Sequence, residues 1–178
     1  MRKLVLYIAV SLDGFIAGEG ESLDWLDKVE GQGDNGYEAF YDGVDTLLMG
    51  RKTYDWIMDH AEFPYAGKEC YVFSHEPREN TSDVTFVSGE VASFASRLKE
   101  QPGKEIWLVG GGNLLRPLLE AGLVDEMILT VAPVVLGKGI PLFHGMEMEA
   151  DFVLDGLERY GQFAQLHYSA ASGAGKEI

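Results

Sequence analysis

"EIWLVGGGNLLRPLLEAG", residues 105–122, decides the architecture. Its first six residues form a continuous apolar run of the kind buried on both faces of a sheet. Its second half sets Leu114, Leu115, Leu118 and Leu119 at helical spacing and stops at Gly122, a natural terminating glycine. Pro117 costs a hydrogen bond inside such a helix unless the helix effectively starts near Arg116. Between strand and helix stand Gly110, Gly111 and Gly112. A tight turn with positive φ explains one of them, or two. Three in a row also leave the main chain bare enough for a ligand to lie against it, at a helix start whose N–H groups favour an anion. Turn and ligand approach both stand as readings of the stretch.

"LLMGRKTYDWI" (47–57) repeats the arrangement: an apolar run, Gly50, then a helix whose first turn carries Arg51, Lys52 and Thr53. Cations at a helix start oppose the macrodipole, and sequence preference places acids there. Two adjacent cations beside a hydroxyl suit a phosphate, with Arg51 offering a bidentate fork. A solvated surface pair is the plainer alternative.

The same alternation extends outward. Apolar runs at 3–10, 45–50, 69–74, 84–89, 105–110 and 125–137 read as strands, and 35–43, 51–60, 90–101 and 113–122 as helices. The helix over 90–101 has Val91, Phe94, Ala95 and Leu98 on one face and Lys99 near its end. Repeated strand and helix predict an α/β three-layer sandwich with a largely parallel sheet. "DFVLDGLERYG" and "QFAQLHYSA" read as an antiparallel hairpin turning at Gly161 and closing one edge. Residues 1–171 are expected to form one domain, with 172–178 a frayed tail. "VVLGKGIPLF" (134–143) reads equally as an interface or edge segment and as a core strand.

The 178 residues include 46% hydrophobic and 24% charged side chains, an ordinary globular balance. With 29 acids against 14 Lys and Arg, the formal charge is -15, which argues against nucleic acid and anionic membranes as partners. That field also repels a phosphorylated ligand unless a site concentrates its few cations locally. Cys70 has no partner for a disulfide, no secretory signal is evident, and no apolar stretch is long enough to span a bilayer, so a cytoplasmic location is expected. His60, His75, His144 and His167 lack metal-ligand spacing, and no metal is expected. No G-x-S-x-G elbow supports hydrolase chemistry. "GQGDNG" (31–36) follows no strand, and "GAGK" (173–176) lacks the upstream glycine and following helix of a phosphate loop.

Taken in order, "SLDGFIA" (11–17), "DW" (24–25), "MGRKTY" (49–54), "FS" (73–74), "LVGGGNLL" (108–115) and "LTVAPVVLGKGIPLF" (129–143) resemble the dihydrofolate reductase superfamily. The nearer likeness is to its riboflavin-biosynthesis reductase (RibD C-terminal) branch. The resemblance implies a dihydrofolate reductase-like three-layer α/β/α sandwich and an NADPH-dependent reductase. It implies that Gly50, Arg51, Lys52 and Thr53 hold the cofactor's phosphates, with Ser74 near the adenosine phosphate. It places Gly110, Gly111 and Gly112, with Asn113 and Leu114, at the diphosphate, commonly through a cis Gly110–Gly111 bond. Ala9 and Ile16 would flank the nicotinamide, and the loop near 18–25, including Trp25, would cover the site. For the substrate it implies an acid on the first helix, Asp34 by spacing or Glu38 one turn later, and support from Thr130. Either acid can also serve simply to favour the helix start. The implied substrate is a small pyrimidine or pterin, most like 5-amino-6-(5-phosphoribosylamino)uracil. Dihydrofolate reduction, or nucleotide sensing without turnover, are the alternatives. Homodimers are implied by the resemblance.

Overall fold

Every apolar run singled out above contributes a strand to the computed structural model, which describes residues 1–171. The tail expected at 172–178, with its "GAGK", lies outside the described residues. In chain order the elements are β1 (Leu4–Ser11), β2 (Phe15–Ala17), α1 (Asp24–Asp27), α2 (Tyr37–Asp42), β3 (Val44–Gly50), α3 (Arg51–His60), β4 (Glu69–Phe73), β5 (Thr85–Val87), α4 (Val91–Glu100), β6 (Glu105–Gly110), α5 (Gly112–Glu120), β7 (Glu126–Ala132), β8 (Ile140–Pro141), β9 (Phe152–Tyr160) and β10 (Phe163–Ala170). A short 3-10 turn, Glu19–Glu21, precedes α1.

Eight strands form the central sheet in the order β5-β4-β3-β6-β1-β7-β10-β9. The neighbours from β5 to β7 run parallel, while β7–β10 and β10–β9 are antiparallel. The parallel stretch needs cover on both faces, and the side-chain alternation of β1 shows how it is met. Leu4, Leu6 and Val10 point into one cluster with Leu98 of α4 and Leu114, Leu115 and Leu118 of α5. Tyr7 packs against the other cluster, with Phe40 of α2 and Tyr54 and Ile57 of α3. The result is the expected three layers. Leu108 and Leu118 are fully buried, and truncating either to alanine would cost ~2–5 kcal/mol.

The helix read over 113–122 spans Gly112–Glu120, so Pro117 sits inside it and the condition that would have spared its hydrogen bond is not met. Four leucines on the buried face of α5 outweigh the single hydrogen bond that Pro117 cannot make. The run at 125–137 ends as a strand at Ala132, because the following segment turns away to β8, which pairs with β2 in a separate two-stranded sheet. Residues 134–143 are therefore an edge segment, with Leu142 buried and Val135 and Phe143 exposed. Lys99, near the end of α4 as read from the sequence, is buried, its Nζ donating to Leu123 O at 2.9 Å and Asp125 Oδ2 at 2.6 Å.

Candidate functional site: two helix starts at one sheet edge

Because β3 and β6 are parallel neighbours, the helices that follow them start side by side at the same edge. Leu48 pairs with Leu108 but Met49 with Gly110, so Val109 is an extra residue that bends β6 at its end. This brings the two junctions into backbone contact. A Cβ on Gly111 would lie 3.3 Å from Gly50 N and 3.4 Å from Gly50 Cα, at a φ of +109° that disfavours any side chain. Turn and close approach thus act together, and the first close approach is that of the chain's own backbone. No cis peptide occurs among the described residues, Gly110–Gly111 included, contrary to the expectation. The bulge and the positive φ of Gly111 turn the chain with trans bonds.

Neither α3 nor α5 has a side chain capping its first N–H groups. Those donors and the dipoles behind them converge where Gly50 meets Gly111, an arrangement suited to an anion. Thr53 is half-buried, with Oγ1 3.7 Å from where a Gly110 Cβ would be. Gly112 is half-buried, and a Cβ there would meet His144 Nε2 at 3.5 Å. Leu114 is buried beneath Gly50, while Asn113 is exposed.

Arg51 and Lys52 are both exposed at the start of α3. Arg51 Nη1 stands 3.6 Å from Asp55 Oδ2, one turn along the helix. The same carboxylate receives both guanidinium nitrogens of Arg78, at 2.8 and 3.0 Å. Hydrogen bonding from Arg78, then the charges of Arg78 and Arg51, hold the Asp55 carboxyl below its ordinary value. Asp55 so gathers two guanidinium groups beside the helix start. The only hint of Arg78 in the sequence is a lone cation in the acidic stretch that follows β4. Ser74, at the end of β4, is buried and donates its hydroxyl to Glu76 O at 2.8 Å, which fixes the chain as it leaves the strand.

Ile16 joins Ile8, Leu108, Leu115, Leu142 and the three glycines around a small apolar crevice at the ends of β1 and β6. Asp13 keeps that wall in place. Its carboxylate accepts from Ser11 Oγ at 2.7 Å, Gly137 N at 2.8 Å and Leu136 N at 3.1 Å. The Ser11 hydroxyl first, then these two backbone N–H groups, hold Asp13 down at about 2. Ala9 is half-buried on the opposite face of β1, paired across the ladder with Thr130.

Thr130 is buried and accepts a hydrogen bond from Gln165 Nε2 at 3.0 Å. Gln165, which sequence reasoning missed, also donates to Asn35 O at 3.3 Å and pairs its Oε1 with His167 Nε2 at 3.0 Å. Its signal in the sequence is a polar residue on the buried side of an alternating strand. Tyr7 stands beside Gln165, stacked on Phe40 with ring centroids 4.1 Å apart, and burial raises its pKa. Asp34 and Glu38 are exposed at the start of α2. Asp34 accepts from the backbone N–H of Glu38 at 2.8 Å and of Gly36 at 3.0 Å, and these bonds lower its pKa. Trp25 is buried against Ala132 and Phe163, and its Nε1 donates to Ser22 O at 3.1 Å. It pegs its loop to the core, while the loop's outer side faces α3 across a groove of about 730 Å³.

A parallel sheet carrying two uncapped, glycine-lined helix starts at its carboxyl edge, with an antiparallel hairpin beyond, defines a protein of the dihydrofolate reductase-like class. Within that class the chain belongs to the RibD C-terminal domain family, which matches residues 2–166. It is 49% identical over 172 residues to the uncharacterized protein YwjB of Bacillus subtilis (strain 168), covering 96% of this chain and 99% of that protein. It is similar to the structure of a putative riboflavin biosynthesis protein from Shewanella sp. PV-4, at TM-score 0.86 and 31% identity, covering 95% of this chain and 99% of the other. Dihydrofolate reductase from Enterococcus faecalis, solved with NADP(H), shares the fold at TM-score 0.64 and 15% identity, covering 96% and 97% of the two chains.

Proposed function

We propose that the protein is an NADPH-dependent reductase of a small, flat pyrimidine- or pterin-like substrate. The observation that carries the reading is the contact of Gly50 with Gly111, which joins two uncapped helix starts into one anion cradle beside Arg51. The residues present fit the cofactor. Gly110, Gly111, Gly112 and Asn113 take the diphosphate through backbone N–H groups, and Leu114 supports Gly50 from below. Arg51, Lys52 and Thr53 take the 2′-phosphate, with Ser74 shaping the adenosine end. Ala9 and Ile16 flank the nicotinamide.

Bound there, the cofactor supplies a hydride. The protein's part is to hold the two rings in reacting geometry and exclude water. Thr130, fixed by Gln165, and Tyr7, whose pKa burial raises, are the hydrogen-bonding groups on the substrate side. Asp34 stays ionised, so the proton reaches the reduced substrate from water that Asp34 orders, with Glu38 next to it. No described helix is long and apolar enough to cross a membrane. A homodimer is supported by the exposed Val153, Leu154 and Leu157 of the edge strand β9.

Titration with NADPH, read by energy transfer from the three tryptophans, should saturate below about 1 mM, the usual upper range for enzyme ligands. Absence of saturation refutes the proposal. A cofactor-binding protein without turnover is the second reading, favoured by the use of Asp34 as a helix cap. Saturable binding with no oxidation of NADPH by pterins, pyrimidines or small carbonyls would establish it.

A further inference from the structure

β1 has a neighbour on either side, and a strand so placed between two layers is ordinarily covered on both faces. Yet Tyr7 and Ala9 on β1 and Val109 on β6, which share the face turned toward α2 and α3, are only half-buried. The helices leave the ends of these two strands partly open. Ala9 pairs with Thr130 across one ladder and Thr130 with Gln165 across the next, so the three stand in one row on that face. The row runs from the proposed nicotinamide flank to the hydrogen-bonding groups of the substrate side.

Gln165 ends the row and is buried. Asn35 O, 3.3 Å away, can only accept, so the amide must turn Nε2 toward it and Oε1 toward His167. His167 Nε2 then donates to Oε1 at 3.0 Å, which holds the amide against a flip. The same Nε2 donates to Thr130 Oγ1 at 3.0 Å and, at the longer distance of 3.5 Å, to Tyr7 Oη. Each hydroxyl therefore receives a hydrogen from one amide and keeps its own. Among the described residues neither hydroxyl donates to a protein acceptor, although Thr130 is only 8% exposed.

We propose that Gln165 is a positioning residue that makes this wall a donor wall, so that the substrate presents an acceptor to it, a ring carbonyl or a bare ring nitrogen, in preference to an amino group. The proposal rests on the reductase reading for what is done to the ligand and on the amide network alone for its polarity. An acceptor placed here takes the waiting hydrogens of Thr130 and Tyr7. An amino group reaches only the lone pairs that remain, and a buried donor left without a partner costs its full desolvation. The bond to Asn35 O also holds the chain beside Asp34, so one amide sets the spacing between that acid and the two hydroxyls.

Quinazolin-4-one and 4-aminoquinazoline test it, because they share one frame, are both uncharged near neutral pH and reverse the hydrogen-bonding edge. In calorimetric titration of the whole protein the carbonyl compound should bind at least about tenfold more tightly. Thr130→Val and Tyr7→Phe each remove one donor at nearly constant shape, and each should narrow the gap severalfold. Gln165→Glu gives the Thr130 hydroxyl an acceptor on its inner side, so its proton turns inward and the gap should close or invert. A residue that merely supported the fold would weaken both probes alike. Melting profiles check every variant, and the two hydroxyl variants decide the matter where Gln165→Glu does not fold. Equal or reversed affinities in the wild type, binding of neither probe below about 1 mM, or a gap untouched by both hydroxyl variants overturns the proposal. NADPH titration of the same samples keeps the two ideas apart. A polarity preference without NADPH binding fails the reductase reading alone, and NADPH binding without the preference fails the donor wall alone.

Discussion

The starts of α3 and α5 and the start of α2 solve one problem in opposite ways. Each helix begins with N–H groups that lack a partner inside the helix. At α2, Asp34 reaches over and takes two backbone N–H groups. At α3 and α5 no side chain does so, and glycines bring the two starts together at a single point. A self-capped start is complete in itself. A pair of uncapped starts, in a chain of charge -15, makes sense as a place prepared for an anion brought from outside.

The hardest blow to this contrast is Gly111→Ala. It adds a methyl 3.3 Å from Gly50 N at a φ of +109°, so strain and overlap act together. A stability loss of about 1–3 kcal/mol is expected, with NADPH affinity falling in parallel. Gly122→Ala is the control, because Gly122 also has positive φ but nothing within 4 Å of its Cβ position. Thermal unfolding and NADPH titration should show the larger loss at Gly111; equal losses would mean that strain alone, and no cradle, is at stake.

Next in size is Arg51→Ala. Removing a charge-assisted contact worth ~1.5–3 kcal/mol should weaken NADPH by about ten- to hundredfold. NADH lacks the 2′-phosphate and should lose little, so equal losses for the two cofactors would refute the assignment. Arg78→Ala should give the same selectivity with a smaller effect, because Arg78 reaches the helix start through Asp55.

The smallest effect lies on the self-capped side. Asp34 and Asp13 both titrate below the ordinary 3.8, Asp13 at about 2. A carboxyl depressed in the folded state stabilises fully above its unfolded pKa and loses that contribution as pH falls through its folded one. Wild type should therefore exceed Asp34→Asn and Asp13→Asn in melting temperature near neutral pH. The Asp13 advantage should fade between pH 4 and about 2. Neither substitution should alter the preference for NADPH over NADH.

The strands, the central helices and the two glycine junctions were legible because each is written in a contiguous run with its own period or breaker. The site around them was legible only where it lies on those runs. Arg78 meets Asp55 across 23 positions of sequence, and Gln165 meets Thr130 across 35. Neither pairing leaves a local mark. Trp25 was read as a cover for the site because it stands in the covering loop, but an indole buries its surface where it can, and here the core was nearer. The cis bond was misread because adjacent glycines permit several ways of turning, and here the chain turns with trans bonds.

The clasp at Asp13 has a consequence for motion. Two backbone amides, Leu136 and Gly137, point at a carboxylate that sits 123 and 124 positions earlier in the chain, on the turn between β1 and β2. Opening that turn must free both amides at once, whereas fraying of the 133–139 segment from its far side need not involve the turn. Their hydrogen-exchange rates are thus a matched pair of clocks for the wall beside Ile16. If they slow together when NADPH is added, the turn has closed on the cofactor as one body with the segment after β7.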